Sequence, residues 1–448
     1  MLDVLAWANR FIRTASVSRD GNAEIAQAAR ELMAEAGIEA RLIPFDLNGV
    51  KHWSVIGDLG PAPDPDASAR EGGLLLVTHL DTVPADDPAA WTATGGDPWN
   101  PTRDGDKLYG LGSADAKVDL VCKLAALSQI DPSRLVRPLR VVGTFAEEIG
   151  MWGARELVRS GGTRGFASAL VSEPSELVAM IAHKGYAVYR ASIPLARIPG
   201  ARGTAQQQDF QGAAAHSSTP HLGRNAIEAA LTRLADADVH GVVTISGGSA
   251  VNVIPDRCSA TLIEASGGRT TAPCFDPQPL IDFHAVWRGA LEQLAAIVDS
   301  DFDPNHSVGN LGRISLEDDR AVVSFDLRPV PGVDLNDAVA ALAEVAQVEL
   351  IRENPPLATP RDSALVTAVV RAQQSAGMEA RIATKATCTE AGILSEAGLD
   401  VIVMGPGPSV GNVHKPNEHT RISDLERAPE IYRHAIEQLC IEVEPCSS

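Results

Sequence analysis

The sequence predicts an α/β fold in two parts: a mixed, mostly parallel sheet flanked by helices, interrupted by an inserted α+β module. Three observations carry this. Solidly apolar runs such as Leu74-Leu75-Leu76-Val77-Thr78, bounded by turn residues, suit strands buried on both faces of a parallel sheet. From Lys184 the strands alternate apolar and polar residues, which fits a sheet with one wet face. From about Pro360 the buried pattern returns. The expected boundaries are residues 1–181 and 356–448 for the two segments of the main domain and 182–355 for the insert.

Taken in order, Leu5, Ala8, Phe11 and Ile12 recur at helical spacing, and a second amphipathic stretch from Ile25 to Ala36 stops at Gly37. Strands are expected at 38–45 and 53–59, followed by a Pro/Asp/Ala-rich loop over 60–73. The strand 74–78 runs into His79-Leu80-Asp81. A long loop, 84–112, carries Trp91 and Trp99 and closes on Gly110-Leu111-Gly112; long loops in compact domains are commonly functional. A helix over 117–130 precedes a buried strand, 140–145, ending at Glu147-Glu148, and a shorter one, 169–171, ending at Glu173. In the insert, a strand at 186–193 leads through a loop to His216, with a helix over 225–235, strands at 242–245 and 258–263, a helix over 283–298, strands at 311–316 and 321–327, and a helix over 335–346. The last segment reads as a helix over 363–376, a strand near 380–383, a short helix over 390–396, a strand 401–404 running into Gly405-Pro406-Gly407, then His414 and a closing helix over 423–439.

Composition narrows the function classes. The 448 residues, 45% of them hydrophobic, provide for two domains with real cores. A formal net charge of −20 disfavours nucleic acid or an anionic membrane as partner. The six cysteines are scattered without a Cys-x-x-Cys pair, which fits reduced thiols rather than a disulfide framework. The N-terminal stretch lacks a basic leader and a cleavage site, so a cytoplasmic location is expected.

Three strands thus end in histidine or acidic residues, and in open α/β sheets the carboxyl ends of strands are where ligands bind. Collected, these residues are His79, Asp115, Glu148, Glu173 and His414, with Asp81 and Glu147 beside them. Two imidazoles and three carboxylates are a donor set for a pair of divalent ions, Zn2+ first, with Co2+ or Mn2+ as alternatives. Residues two apart on a strand share a face, so Asp81 is expected to fix the tautomer of His79.

The segments HLDTVP (79–84), DGDKLYGLGSADAK (104–117), FAEEIGMWGA (145–154), SEP (172–174), AAAHSSTPHLGRNAI (213–227), NVIPD (252–256), FDLRPVPG (325–332) and GPGPSVGNVHKPNE (405–418) together resemble the M20 family of co-catalytic metallopeptidases and deacylases. The resemblance implies a di-metal exopeptidase-like main domain with an inserted lid of the kind that mediates dimerisation. It implies that Asp115 bridges two metals, completed by His79 and Glu173 on one side and by Glu148 and His414 on the other. Glu147 would be the general base, and His216 the donor to the carbonyl oxygen. Asn252 and Arg328 would bind the substrate carboxylate, with Thr389 and the Gly405 turn also lining the substrate. Where the family commonly has Arg, Gly and Asp, this chain has Leu111, Val118 and Ala146.

The implied substrate is a small molecule, an N-acyl amino acid first and a dipeptide or C-terminal peptide bond second. The Thr387 to Gly392 stretch resembles the acetylornithine deacetylase branch, whereas the excess length between Glu264 and Asn310 resembles the dipeptidase branch. A homodimer, or a monomer whose extended lid replaces the partner, is expected. Plainer readings stand beside these. Glu147-Glu148 also reads as a solvated acidic turn, Arg328 as a partner of Asp326 or Glu317, the two tryptophans as loop anchors, Cys388 as a packing residue, and the whole chain as a metal-dead binding protein.

Overall fold

The computed structural model describes residues 2–66, 72–199, 202–269 and 274–441. The chain divides into two compact units, Met1–Ala182 with Leu357–Thr384 and Thr389–Ser448, and His183–Pro356 with Lys385–Cys388.

The first unit is built on a nine-stranded mixed sheet in the order Ala40–Leu47, Val50–Leu59, Leu139–Thr144, Gly73–His79, Phe166–Val171, Asp400–Val403, Ala179–His183, Leu357–Ala358, with Ile382–Lys385 also paired to Ala179–His183. Its four central strands, Leu139–Thr144 to Asp400–Val403, are mutually parallel. They are the apolar runs of the sequence, and Gly73–His79 is buried at every position. Both faces are covered. Helices Val4–Arg13, Ala23–Glu35, Asp119–Leu127, Ala364–Ser375 and Ile422–Cys440 pack one core. Trp152–Arg159 and Glu390–Glu396 contribute Leu157, Ala391 and Leu394 to the other. Because the strands are parallel and in register, with His79 opposite Thr144 and Val77 opposite Val171, their carboxyl ends open at one edge of the sheet.

The loop after His79 is held at its close by a three-stranded sheet of Thr102–Asp104, Lys107–Tyr109 and His419–Arg421, in which His419 pairs with Tyr109. Trp91 is a loop anchor: it is buried and donates its indole N–H to the Ala85 carbonyl at 2.9 Å. The loop expected at 60–73 falls partly on residues 67–71, outside the described residues, as does Cys446; the five described cysteines are free thiols.

The second unit carries its own antiparallel sheet, ordered Arg197–Ile198, Cys274–Phe275, Val239–Gly247, Val308–Glu317, Arg320–Arg328, Tyr186–Pro194, Gln347–Asn354, with a hairpin of Arg202–Gln211 and Arg257–Arg269 joined to Val239–Gly247. Helices Ala226–Leu234, Gln278–Ala295 and Asn336–Ala343 bury its apolar face around Phe283, Trp287 and Phe325. The segment 202–211 corrects a sequence expectation. Read as part of the loop that leads to His216, it is a ten-residue strand paired with Arg257–Arg269, with Phe210 packed against the core of the unit. Among the described residues no helix is long and apolar enough to cross a membrane.

Candidate metal centre

The strand ends of the first unit deliver the candidate ligands. His79 is the last residue of its strand. Glu173 follows Phe166–Val171 by two residues, and Glu148 sits in the turn after Leu139–Thr144. That turn is sharp. Ala146 and Met151 both adopt positive φ, at 51° and 57°, and Gly153 donates back to the Phe145 carbonyl, so the chain reverses around the two glutamates. Gly153 leaves no space for a side chain, since a Cβ would lie 2.5 Å from the Phe145 nitrogen. Non-glycine residues held at positive φ cluster at functional sites, and His414, at φ 58°, is another.

These residues form two groups that share Asp115: His79, Asp115 and Glu173, and Asp115, Glu148 and His414, each with its ligand atoms within 4.8 Å of one another. Asp115 Oδ1 lies 3.1 Å from His79 Nε2, and Oδ2 lies 3.1 Å from His414 Nε2, which is also 3.1 Å from Glu148 Oε1. Donors bound to one ion at about 2.1 Å in tetrahedral geometry stand about 3.4 Å apart, so these spacings and this N/O donor set fit divalent metal ions. His79 Nδ1 donates to the main-chain oxygen of Asp81 at 3.1 Å, so that in the neutral ring the Nε2 lone pair is the one left for a metal.

Electrostatics tie the cluster together. Burial works against a charge on His79, but the hydrogen bond and charge of Asp115, with Glu147 and Asp81, raise its pKa well above the usual histidine range. Burial likewise opposes a charge on His414, which Asp115 and Glu148 nevertheless raise to about 11. Burial favours the neutral acid at Asp115, yet hydrogen bonds from both histidines carry it far below the usual carboxylate range. Burial, with the neighbouring Glu148 carboxylate, pushes Glu147 well up, the direction a general base at neutral pH requires.

Supporting residues fix this geometry. The sequence expectation for Asp81 is corrected: its main chain, not its carboxylate, orients His79, whose Nδ1 is 3.8 Å from Oδ1. The carboxylate instead accepts the main-chain N–H groups of Glu147 at 3.1 Å and Glu148 at 3.3 Å and the Ser18 hydroxyl at 2.5 Å. Glu418 was not singled out from the sequence beyond its place in the last motif. It is buried and accepts the N–H groups of Ala114 and Asp115 at 2.9 and 3.1 Å, and burial together with the Asp115 charge pushes it to about 8. Buried Glu390 accepts the Thr144 hydroxyl at 2.9 Å, and burial pushes it to about 7. His419 joins neither group; its ring lies 5.1 Å from that of Tyr109.

Two first-unit residues expected to line the substrate also make contacts within the protein. Thr389 is fully buried and its hydroxyl caps the helix Glu390–Glu396 by accepting from Ala391. Gly405 makes its close approach to protein: its N–H goes to the Ser175 hydroxyl, its carbonyl accepts from Ser175 and Leu177, and a Cβ would lie 2.7 Å from the Glu173 carbonyl.

The other three candidates belong to the second unit. His216 Nδ1 accepts the Ser218 main-chain N–H at 3.2 Å and lies 2.7 Å from its hydroxyl, so the neutral ring carries its proton on Nε2, the form that can donate. Arg328 is 3% exposed, which rules out the surface ion pair as a full account. Its Nε donates to the Ser217 hydroxyl at 3.0 Å and lies 3.4 Å from Asp326, and its guanidinium lies over the Tyr186 ring at 4.2 Å. Asn252 is exposed, and its carbonyl accepts from Ser217.

Two histidine–carboxylate groups sharing one aspartate, beside the strand ends of a parallel-centred α/β sheet, give the donor set of a two-ion metal site. The chain belongs to peptidase family M20/M25/M40, whose model matches residues 75–438. It is similar to the acetylornithine deacetylase of Pectobacterium carotovorum subsp. carotovorum (strain PC1), 27% identical over 416 residues that cover 90% of this chain and 87% of the relative. Among solved structures, its fold matches the aminoacylhistidine dipeptidase of Vibrio alginolyticus with a TM-score of 0.68 at 17% identity, covering 98% and 97% of the two chains. It also matches the Bacillus subtilis YXEP protein, a dinuclear metal-binding peptidase of the M20 family, with a TM-score of 0.52 at 13% identity over 97% of each chain.

Proposed function

We propose that the protein is a two-metal deacylase that hydrolyses the amide of an N-acyl amino acid next to a free carboxylate. The observation that carries this reading is Asp115, whose two oxygens each face one histidine at 3.1 Å. Relatives named acetylornithine deacetylase that align over most of their length support the substrate class. His79 and Glu173 would hold one ion, Glu148 and His414 the other, and Asp115 both, with Zn2+ as the native metal and Co2+ or Mn2+ as substitutes. The ions, when bound, supply Lewis acidity, which polarises a carbonyl and lowers the pKa of water.

Glu147 takes the proton of the attacking water and returns it to the nitrogen of the leaving amine. The Asp81 carboxylate holds the turn that presents it. His216, whose neutral ring carries its proton on Nε2, is read as the donor to an oxyanion, and Arg328 with Asn252 as the partner of the substrate carboxylate. A cytoplasmic homodimer or monomer is the expected form, which gel filtration separates.

The test is a screen of the Zn2+- or Co2+-loaded protein against N-acetyl and N-succinyl amino acids and unblocked dipeptides. Release of the acyl acid with dipeptides untouched is expected. The fold match to a dipeptidase favours a second reading, which turnover confined to unblocked dipeptides would establish in place of the first.

A further inference from the structure

Under the strand ends of the first unit lies a second cluster of charged groups, whose closest approaches are to protein atoms. Lys123 is fully buried on the helix Asp119–Leu127. Its ammonium reaches the Val77 carbonyl at 2.8 Å, the Thr78 hydroxyl at 3.2 Å, the Leu170 carbonyl at 3.1 Å and the Ser172 hydroxyl at 2.6 Å. Asp119, 3.5 Å away and also buried, accepts from the Ser172 hydroxyl at 2.6 Å and from the Tyr432 hydroxyl at 2.8 Å. The Tyr432 oxygen lies 3.2 Å from the Met404 carbonyl.

The four acceptors of the Lys123 ammonium each lie one to three residues before His79 or Glu173. Thr78 precedes His79, Ser172 precedes Glu173, and Asp119 opens the helix that follows Asp115. Those three neighbours are one complete candidate ligand group. Glu148 and His414, which with Asp115 make up the other group, have no bond to this network among the described residues.

Stability alone does not account for such a pair. Taking two charges out of water costs several kcal/mol each, and packed apolar residues of similar volume are commonly as stabilising. What an ammonium with fixed acceptors does supply is direction and spacing. It ties the ends of two adjacent parallel strands, Gly73–His79 and Phe166–Val171, to each other and to the helix behind them.

We propose that the buried Lys123–Asp119 pair is a positioning device that sets the spacing of His79 and Glu173, and with it the affinity of one of the two metal positions. The proposal rests on the reading of those residues as ligands, and the experiment separates the two. Metal-free wild type is titrated with Co2+ in competition with a chelator, beside two variants: Asp119→Asn/Lys123→Met, which removes both charges, and Ser172→Ala, which keeps them but removes the hydroxyl they share. Thermal unfolding of each metal-free protein is recorded in parallel.

In both variants one ion should bind about 10- to 100-fold more weakly, the range for residues that orient metal ligands, while the other holds its wild-type affinity and the metal-free melting temperature stays within a few degrees. Unchanged affinity for both ions overturns the proposal. So does a parallel loss at both positions accompanied by a fall in the metal-free melting temperature, which marks a merely structural pair. If the double variant does not fold, Ser172→Ala decides between these results. A wild type that binds fewer than two ions overturns the metal-centre reading itself.

Discussion

The Asp81 carboxylate accepts the main-chain N–H of Glu147 at 3.1 Å, so the residue two places after the candidate ligand His79 holds the turn that carries the proposed base. One oxygen serves Glu147, and the other serves Glu148 and Ser18. Asp81→Asn keeps the main-chain bond to His79 but turns an NH2 toward at least one of these donors. An unmet buried donor costs about 1–3 kcal/mol. Denaturant unfolding should show a loss of that size, and kcat should fall tenfold or more at little-changed KM, because substrate contacts are left in place. A rise in KM alone would place Asp81 in substrate binding instead.

Glu147 carries the proton in the proposed reaction and belongs to neither ligand group. Glu147→Ala should therefore lower kcat by about 10²- to 10⁴-fold, the usual contribution of a positioned acid–base group. Metal content, measured by elemental analysis, should remain at two ions per chain. Undiminished turnover would remove Glu147 as the base, and loss of metal would make it a ligand.

The Gly405 N–H and carbonyl are both bonded to protein, and its lack of a side chain leaves room for the Glu173 main chain. Gly405→Ala forces a methyl group to within 2.7 Å of the Glu173 carbonyl, where only main chain can give way. Overpacking of this kind costs about 1–3 kcal/mol, and the displaced Glu173 should loosen its ion. Weaker metal binding with an unchanged KM for substrate is expected. A raised KM with normal metal affinity would support the substrate role.

The donor set was legible because a solidly apolar strand can only sit in the middle of a sheet, and its carboxyl end then has to face the ligand edge. His79, Glu148 and Glu173 follow from that rule. Glu418 did not, because it acts through the main-chain N–H groups of Ala114 and Asp115, about 300 positions away along the chain. The Lys123–Asp119 pair was invisible for another reason: charges four apart on a helix ordinarily mark a solvated face, and only the packed helices show this one buried. Thr389 and Gly405 also have protein-side roles that the sequence does not separate from substrate contact, because a helix cap and a close main-chain approach favour the same residue types. The strand 202–211 escaped because its mostly polar residues show no alternation, and its pairing with Arg257–Arg269 is visible only in the folded chain.

Glu390 gives the protein a pH dependence of predictable sign. Burial raises its carboxyl from near 4.5 to about 7, so the folded state holds a proton that the unfolded chain releases at lower pH. Its contribution to stability is complete below about pH 4.5 and is lost as the pH rises toward 7, by about 3 kcal/mol for a shift of that size. Glu390→Gln retains an acceptor for the Thr144 hydroxyl and cannot ionise. Denaturant unfolding of the metal-free proteins from pH 5 to pH 8 should find the variant and wild type similar at the acid end. At the alkaline end the variant should be the more stable, because it never places a charge where one oxygen of the native carboxylate has no hydrogen-bond partner. Parallel stability curves across this range would mean that Glu390 ionises freely in the folded protein and that its burial carries no such penalty.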